Sequence, residues 1–403
     1  MGHCAVNDFN LELKRRLDAI RGQHLFRELR RVDSAQGPRI ETGGKAFLNF
    51  SSNDYLGLAD DLILKEAAIK AVEKFGAGAG ASRLICGSLA PFHQLEESLA
   101  AFKRTEAALT FSTGYATAVG TICTLMGKGD IIILDKLVHA SIVDAAKLSG
   151  AKLRVFAHND LNDLEDKLQW ADMNSKAEGG RRRAEILIVT ESIFSMDGDA
   201  APLCEIVALK EKHGAWLMVD EAHATGIIGE NGRGLADKLG VSGQIEIQMG
   251  TLGKALGASG GYICGSRALI DLLVNRARSF VFSTAPVPAA AAAAAAAIRF
   301  VQSADGESRR KLLHSQVAEF QSQIANRKSQ IRGAIIPVLL GDESKAVEVA
   351  AKLWKQDIFV PAIRYPTVAR GKARLRVTLT ASHSADDVST LTHALEQTAN
   401  QKS

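Results

Sequence analysis

The sequence predicts an α/β fold built on a largely parallel sheet, and two patterns indicate it. From about residue 107 onward, short apolar runs alternate with helical segments. The runs are continuous and rich in β-branched residues, which is typical of strands buried on both faces of a parallel sheet. The seven runs are AALTF, DIIILD, KLRVFA, AEILIVTES, AWLMVDEAH, IEIQMGT and GGYICG. We therefore expect a mainly parallel seven-stranded sheet that is covered by helices on both sides.

The segments outside this region predict an N-terminal helical arm and a small C-terminal α+β domain. Residues 8–31 have the amphipathic, charge-rich pattern of a helix, KAFLNF predicts a short strand, and helical patterns follow at about 60–75 and 91–104. Nine consecutive alanines at 289–297 favour a long helix, because alanine has the highest helix propensity. IIPVLLG and ARLRVTLTA then predict strands. The expected domains are 1–50, 51–288 and 289–403.

Composition excludes several classes of protein. A net charge of +4 on 403 residues, with 46% hydrophobic residues, is ordinary for a soluble globular chain and does not favour nucleic-acid binding. The five cysteines are scattered without a CxxC pair, which argues against a metal site and a disulfide framework. No apolar run reaches the roughly 20 residues of a membrane span, and the N-terminus lacks a signal-peptide pattern. We expect a cytoplasmic protein that does not contact a membrane.

Polar side chains follow the predicted strands at their carboxyl ends, where open α/β sheets bind ligands. We therefore expect an anion-binding turn, two histidines, two carboxylates and a lysine along one edge of the sheet. In chain order, the residues are Gly114 and Tyr115 after AALTF, His139 after DIIILD, Glu191 and Ser195 after ILIVT, Asp220 and His223 at the end of WLMVDEAH, and Lys254 after IEIQMGTLG.

Three interpretations of Lys254 in QMGTLGKALGASGG compete: a phosphate-binding loop, a tight turn with a surface lysine, and a lysine prepared for covalent chemistry. A Walker loop needs glycine five positions before the Gly-Lys pair and Ser or Thr after it, but Gln248 and Ala255 stand there. The neighbouring strand-end residues favour the covalent role. A second glycine-rich stretch, residues 76–80, follows a helical pattern rather than a strand, so a flexible turn and a substrate-lining loop remain equal alternatives.

A lysine that forms a Schiff base with pyridoxal phosphate (PLP) needs further groups around it. Asp220 is suited to pair with the pyridinium nitrogen. The helix that opens at Gly114-Tyr115 would offer backbone N–H groups to the phosphate, and Thr251 would add a hydroxyl. His139 is the candidate to cover the ring of the cofactor.

These motifs resemble the α-oxoamine synthases, which are fold type I PLP enzymes that condense an amino acid with an acyl thioester. The resemblance runs nearly from end to end of the chain. It rests on LNFSSNDYLGL, SRLICGSLAPFHQLE, FAHND, SIFSMDGDAAPL, WLMVDEAHATGIIGENGRG, TLGKALGASGG and AIRYPTVARGKARLRVTLTASH. It implies a homodimer with sites at the subunit interface.

The resemblance also implies roles for individual residues. Lys254 would be the Schiff-base lysine and the base at the substrate Cα, Asp220 would pair with the ring nitrogen, and His223 would bond the phenolic oxygen. His139 would stack on the ring. The remaining cofactor contacts would come from Gly114, Tyr115 and Thr251 at the phosphate, Ser195 near the ring, and Ser283 and Thr284 from the second subunit. Glu191 would either order the site or cap a strand end.

Substrate contacts follow from the same resemblance. Arg364 would take the amino-acid carboxylate, Asn53 and Thr367 would line the site, and Arg27 would lie on the N-terminal helix near the acyl chain, where a solvated helix charge is the alternative. SSNDYLGL and PTVARGKARLRVTLTA are most like a member that joins L-alanine to a pimeloyl thioester. The ICG of SRLICG is shared with a relative that uses glycine and acetyl-CoA. The acyl carrier, CoA or acyl carrier protein, stays open, as does the role of the basic trio Arg181–Arg183.

Overall fold

A computed structural model describes residues 4–23, 25–175, 184–324 and 333–400, so the basic trio at 181–183 lies outside the described residues. The helices are α1 (Cys4–Gly22), α2 (Leu62–Phe75), α3 (Ala90–Lys103), α4 (Gly114–Leu125), α5 (Ala140–Ser149), α6 (Leu161–Asn174), α7 (Leu203–His213), α8 (Leu235–Lys238), α9 (Arg267–Arg276), α10 (Arg278–Val281), α11 (Pro288–Val301), α12 (Ala304–Gln323), α13 (Glu343–Lys355) and α14 (Ala385–Asn400). The strands are β1 (Arg39–Thr42), β2 (Lys45–Asn49), β3 (Ala107–Phe111), β4 (Ile131–Asp135), β5 (Lys152–Phe156), β6 (Ile186–Glu191), β7 (Trp216–Asp220), β8 (Ile247–Thr251), β9 (Gly261–Gly265), β10 (Ile335–Gly341), β11 (Ile358–Phe359), β12 (Ala362–Ile363) and β13 (Ala373–Thr378).

All seven apolar runs form strands of one sheet, in the order β3-β9-β8-β7-β6-β4-β5, which confirms the predicted sheet. Strand β9 is antiparallel to both of its neighbours, and the other pairs within the sheet are parallel. Six strands therefore run in one direction and end at the same edge. Strand β9 begins at that edge, which brings its first residue beside the candidate site.

Both faces of the sheet are covered, as the continuous apolar runs predict. Alternate residues of one strand point to opposite faces. Along β4, Ile131 and Ile133 join the larger apolar cluster, whereas Ile132 and Leu134 join the smaller one, and all four are buried. The sheet is thus a rigid platform for the loops at its carboxyl edge.

The alanine run forms helix α11, which packs on α2 and α3. Ala294 and Ala297 have no exposed surface. Methyl side chains allow helix backbones to approach closely, and alanine loses no side-chain rotamer entropy on burial. The predicted long helix is confirmed, and it belongs to the core.

Two three-stranded sheets join the chain ends to this platform, with the orders β1-β2-β11 and β10-β13-β12. Backbone hydrogen bonds join the segment after β2 to the end of β13 and the segment that follows it: Thr378 N–H donates to the carbonyl of Phe50 at 2.9 Å, and Ala381 N–H donates to that of Tyr55 at 2.8 Å. The stretch that contains Asn53 therefore lies between the two ends of the chain. The domain boundaries at 50 and 288 stay a prediction.

The predicted N-terminal helix is wrong in its second half. Helix α1 ends at Gly22, and residues 25–33 contain no helix, so Arg27 does not lie on the N-terminal helix. The cause is a long-range contact: the guanidinium of Arg30 lies over the ring of Trp354 at 3.7 Å from its centroid. Trp354 in turn stacks on Phe47 at 3.8 Å between centroids. Through these contacts, the segment packs against α13 and β2. The hydrophobic periodicity of residues 8–31 contains no information about such long-range contacts.

Candidate active site

The carboxyl edge of the sheet brings together the charged residues that the sequence singled out. Glu191 and Asp220 are the last residues of β6 and β7, and they pair in register. His139 is the N-cap of α5, and Lys254 lies in the loop after β8. Because these strands are parallel neighbours, their ends place two carboxyl groups, an imidazole and an amine in one pocket.

A chain of hydrogen bonds leads from Lys254 into the protein. Its Nζ lies 2.8 Å from Nε2 of His223, and the Nδ1 of that imidazole lies 2.5 Å from the hydroxyl of Tyr55. Tyr55 has no exposed surface and His223 is buried. The amine is thus held at one position by a fully packed partner, which is the arrangement that covalent chemistry requires.

Desolvation favours a neutral amine at Lys254. It lowers the pKa of Lys254 to about 8, against the opposing attraction of Asp220 and Glu191. Burial likewise lowers the pKa of His223 to well below its ordinary value, and the charge of Lys254 adds to this effect. The imidazole is therefore neutral, and about a tenth of the amine is unprotonated at pH 7, far more than for a lysine in water.

The two carboxyl groups differ in their partners. Burial raises the pKa of Glu191 to about 8, with a further contribution from the charge of Asp220. Oε2 of Glu191 accepts the N–H of Ser195 at 3.3 Å, whereas its Oε1 is buried without a hydrogen-bond partner. Burial also raises the pKa of Asp220, whose Oδ1 accepts the N–H of Ala222 at 2.9 Å. A ligand group could satisfy the free oxygen of Glu191.

His139 stands at the open side of the pocket. Its Nδ1 accepts the N–H of Ser141 at 3.2 Å, which fixes the ring at the start of α5. Although the residue is exposed, desolvation lowers the pKa of its imidazole, opposed by the charge of Asp220. A neutral, accessible ring is suited to stack on a planar cofactor.

The start of α4 could hold an anion. The first N–H groups of a helix have no acceptor within the helix, and Gly114 and Tyr115 are the first two residues of α4. Strand β9 packs tightly here, since a Cβ on Gly261 would lie 2.9 Å from Cα of Gly114. The Tyr115 side chain turns away and donates to Asp144 Oδ2 at 3.0 Å. Thr251, at the end of β8, donates its hydroxyl to the carbonyl of Gly260 at 3.0 Å.

These residues fit PLP by the chemistry of their groups. The pocket offers a partly neutral amine, a buried carboxyl group on the adjacent strand, two neutral imidazoles and a helix N-terminus. PLP has four parts that need such partners: its aldehyde needs the amine, its pyridine nitrogen the carboxyl group, its aromatic ring and phenolic oxygen the imidazoles, and its phosphate the helix N-terminus.

The residues expected to contact substrate are divided between the pocket and a groove. Asn53 lies in the pocket, where its Oδ1 accepts from Nη2 of Arg376 at 3.1 Å and lies 3.3 Å from the hydroxyl of Tyr55. Arg364 lines a groove of about 800 Å³ together with Leu25 and Phe26. Thr367 is exposed beside it, with its N–H bonded to the carbonyl of Arg364 at 3.0 Å. Arg27 directly follows Phe26 and is exposed, so it is near the groove although it is not on a helix.

Ser283 and Thr284 lie in the segment after α10. A β-bridge joins Thr284 to Ser82, and the Ser283 hydroxyl donates to the carbonyl of Thr284 at 3.1 Å. Thr284 is exposed. Their contribution to the site of a second subunit remains a prediction.

Sequence reasoning missed two residues that organise the pocket, Tyr55 and Arg376. Arg376 donates from Nε to the carbonyl of Ser195 at 2.7 Å and from Nη2 to Asn53 Oδ1. The sequence ARLRVT contained a signal for this. Arg374 and Arg376 alternate with apolar residues along the strand, so the two arginines lie on the same face of it. Buried arginines require partners in the interior, which would have indicated a polar site beneath β13.

Two further features concern metals and membranes. Within the described ranges, the structure contains no group of three or more His, Cys, Asp or Glu residues that could hold a metal ion. Among the helices of those same ranges, none has the length and apolar character needed to cross a bilayer.

Comparisons with known proteins agree with this geometry. The family model for aminotransferase class I and II matches residues 45–395. The chain is 47% identical to an 8-amino-7-oxononanoate synthase from Geotalea daltonii over 92% of this chain and 93% of that one, and 45% identical to one from Geobacter sulfurreducens over 92% and 94%.

Solved structures show the same fold. A serine palmitoyltransferase from S. paucimobilis with a bound PLP-myriocin aldimine superposes with a TM-score of 0.88, at 29% identity over 96% of each chain. An 8-amino-7-oxononanoate synthase from Francisella tularensis gives 0.74, at 28% identity over 88% of this chain and 97% of that one. The chain therefore belongs to the class I and II aminotransferase family and, within it, to the 8-amino-7-oxononanoate synthases.

Proposed function

We propose that this chain uses PLP to condense L-alanine with a pimeloyl thioester, with loss of carbon dioxide, and so produces 8-amino-7-oxononanoate for biotin synthesis. The observation that supports it most is the amine of Lys254, with a pKa of about 8, placed 2.8 Å from His223 at the sheet edge that also contains Asp220. The 47% identity to an 8-amino-7-oxononanoate synthase supports the choice of reaction within the family.

PLP, when bound, supplies an electron sink for the bonds at the amino-acid Cα. The amine of Lys254 would hold it covalently. The carboxylate of Asp220 would keep the ring nitrogen protonated, which maintains the sink. The other groups that would hold it are His139 at the ring face, His223 at the phenolic oxygen, Ser195 near the ring, and the N–H groups of Gly114 and Tyr115 with the Thr251 hydroxyl at the phosphate.

Lys254 would also move protons at the substrate. An amine with a pKa of about 8 can accept the Cα proton of alanine near neutral pH and can return a proton later, because both forms are populated. Desolvation keeps the neutral form available, while the carboxylate of Asp220 stabilises the ammonium form that follows. The same residue therefore serves as base and acid at one carbon.

Substrate would enter from the groove beside Arg364. Its guanidinium would take the carboxylate of alanine, and the acyl chain would lie along the apolar side chains of Leu25 and Phe26, with Arg27 next to them. Asn53 is held by the hydrogen bond from Arg376, so it would present a fixed amide to the substrate, and Thr367 would line the entrance.

The decisive experiment compares two substrate pairs on the purified holoenzyme. We expect turnover with L-alanine and a pimeloyl thioester, and little with glycine and acetyl-CoA, which is the alternative pair. Offering the pimeloyl group on CoA and on acyl carrier protein in parallel identifies the carrier. Lys254→Ala should abolish turnover and the visible absorbance of the bound cofactor, whereas Lys238→Ala, at an exposed lysine, should change neither. Turnover by Lys254→Ala would contradict the proposal.

The proposal includes a homodimer. Ile85 is 79% exposed in the helical turn Arg83–Gly87, and Phe282 is 72% exposed after α10, which contacts that turn. Large apolar side chains exposed together favour a protein interface, and Ser283 and Thr284 lie beside Phe282. Light scattering on the purified protein should give twice the chain mass, and Phe282→Asp should shift the equilibrium toward the monomer.

A further inference from the structure

The imidazole of His223 is bonded at both nitrogens inside the protein. Nδ1 lies 2.5 Å from the hydroxyl of Tyr55, and Nε2 lies 2.8 Å from Nζ of Lys254. A neutral imidazole has one donor and one acceptor nitrogen, so the partner at one nitrogen determines the proton at the other. The protonation of Lys254 and the orientation of the Tyr55 hydroxyl are therefore linked through one ring.

Two arrangements of protons are self-consistent. In the first, Tyr55 donates to Nδ1, the ring proton is on Nε2, and Lys254 accepts it as a neutral amine. In the second, Tyr55 donates to Asn53, the ring proton is on Nδ1, and Nε2 accepts from a Lys254 ammonium. Only the second arrangement can accommodate an ammonium at Lys254, because an ammonium has no lone pair to accept the Nε2 proton, so the direction of one hydroxyl proton bears on the charge of the amine.

The distances favour the first arrangement. The Tyr55 hydroxyl is 2.5 Å from Nδ1 but 3.3 Å from Asn53 Oδ1, and that oxygen already accepts from Arg376 at 3.1 Å. An N–H···O bond is rarely shorter than about 2.7 Å, whereas hydroxyl donors reach about 2.5 Å, so this contact favours Tyr55 as the donor to Nδ1. The ring proton then lies on Nε2 and faces the amine.

We infer that Tyr55 is a positioning residue whose hydroxyl sets the tautomer of His223 and thereby favours the neutral amine of Lys254. The inference rests on the proposed function, because a neutral amine is the form that reacts with the aldehyde of PLP. It assigns a role to a residue outside the expected set of cofactor and substrate contacts. Tyr55 would contact neither the cofactor nor the reacting atoms and would act through His223.

The other charges around the amine act in both directions. Asp220 on β7 stabilises the ammonium form, and Glu191 on β6 adds to this when it is ionised, while desolvation and the guanidinium of Arg376 on β13 disfavour it. His139 at the start of α5 is neutral, so it adds no charge that would change the pKa of Lys254. The lowered pKa of Lys254 agrees with the arrangement in which it accepts from Nε2.

Removing the hydroxyl should reverse the preference. In Tyr55→Phe, Nδ1 of His223 no longer accepts a hydrogen bond from a hydroxyl. That hydrogen bond stabilised the tautomer with its proton on Nε2, so this tautomer is no longer preferred. Nε2 can then accept from the Lys254 ammonium, and a hydrogen bond from a charged donor is stronger than a neutral one. We expect the apparent pKa of Lys254 to rise by about one unit, which slows Schiff-base formation near pH 7 about tenfold.

The first measurement is the nitrogen NMR spectrum of the full-length chain with labelled histidine, free of cofactor, at about one pH unit above the pKa of about 8 of Lys254, where the amine is mostly neutral. A proton on Nε2 of His223 supports the inference, and a proton on Nδ1 overturns it. This result is obtained on the unmutated protein and does not depend on how a variant folds.

The second measurement is the rate at which PLP combines with the same cofactor-free chain across a pH series, followed by absorbance. Tyr55→Phe should shift the profile to higher pH. Tyr262→Phe is the matched control, because Tyr262 is also fully buried and its hydroxyl bonds Thr225 Oγ1 at 2.9 Å instead. Its profile should remain that of the unmutated chain. Equal profiles for both variants would overturn the inference. Failure to turn over alanine and pimeloyl thioester would refute the proposed function instead, since neither measurement uses those substrates.

Discussion

Glu191→Gln tests whether the carboxyl group at the end of β6 is protonated in the folded protein. Glutamine keeps the shape and an oxygen that can accept the N–H of Ser195, but it cannot titrate. Burial raises the pKa of Glu191 from 4.5 to about 8. The folded state therefore binds this proton more tightly than the unfolded state, and the resulting stabilisation is complete below pH 4.5 and lost as pH rises through about 8.

The magnitude follows from the gap between the two values. About 3.5 pH units at about 1.4 kcal/mol per unit give a ceiling of about 5 kcal/mol in unfolding free energy. Because Asp220 titrates beside Glu191, the change should extend over a broad pH range rather than a single step. Glu191→Gln lacks this contribution, so it should gain stability relative to the unmutated chain as pH rises from 5 to 8.

The assay is denaturant unfolding of the cofactor-free protein at several pH values, with Glu205→Gln at an exposed position of α7 as the control. We expect the difference between Glu191→Gln and the unmutated chain to change by several kcal/mol across the range, and the control to show no such trend. A difference that stays constant from pH 5 to 8 would mean that Glu191 is ionised in the folded protein.

Two further changes test the supports of the site. Gly261→Ala would place a Cβ 2.9 Å from Cα of Gly114, so we expect a loss of about 1–3 kcal/mol in stability and weaker PLP binding, measured by unfolding and by absorbance titration. Gly243→Ala, which meets no atom within 4 Å, is its control, and equal PLP affinity for the two variants would contradict the role of the close approach. Arg30→Ala removes a cation–π contact worth about 1 kcal/mol to Trp354, so residues 25–33 should become more sensitive to protease and the KM for the acyl thioester should rise with that for alanine unchanged. An unaltered digestion pattern would show that the contact does not fix this segment.

The sheet could be predicted because its strands are buried on both faces, and continuous apolar runs express that burial directly. The strand-end rule then located Asp220 and Lys254, since parallel neighbours end at one edge. The antiparallel insertion of β9 between β3 and β8 was not predictable in this way, because its run GYICG has the same apolar pattern as the parallel strands.

The parts that sequence reasoning missed depend on contacts between distant positions. Asn53 and Arg376 are 323 positions apart, and Tyr55 and His223 are 168 apart, yet each pair is hydrogen-bonded. The helical pattern of residues 8–31 failed for the same reason. Arg30 finds its partner on α13, and a contact of that kind outweighs the weak preference of a local segment.

The alanine helix has a consequence for how this chain can change by insertion or deletion. Within a run of identical residues, one position cannot be told from the next. The gain or loss of one alanine within α11 therefore leaves the local sequence almost unaltered. Each added residue nevertheless rotates everything after it by about 100° around the helix axis. With one residue added, Ile298 would take the exposed position of Arg299, and Arg299 would take the buried position of Phe300. The most uniform stretch of the sequence is therefore one in which the exact number of residues matters most.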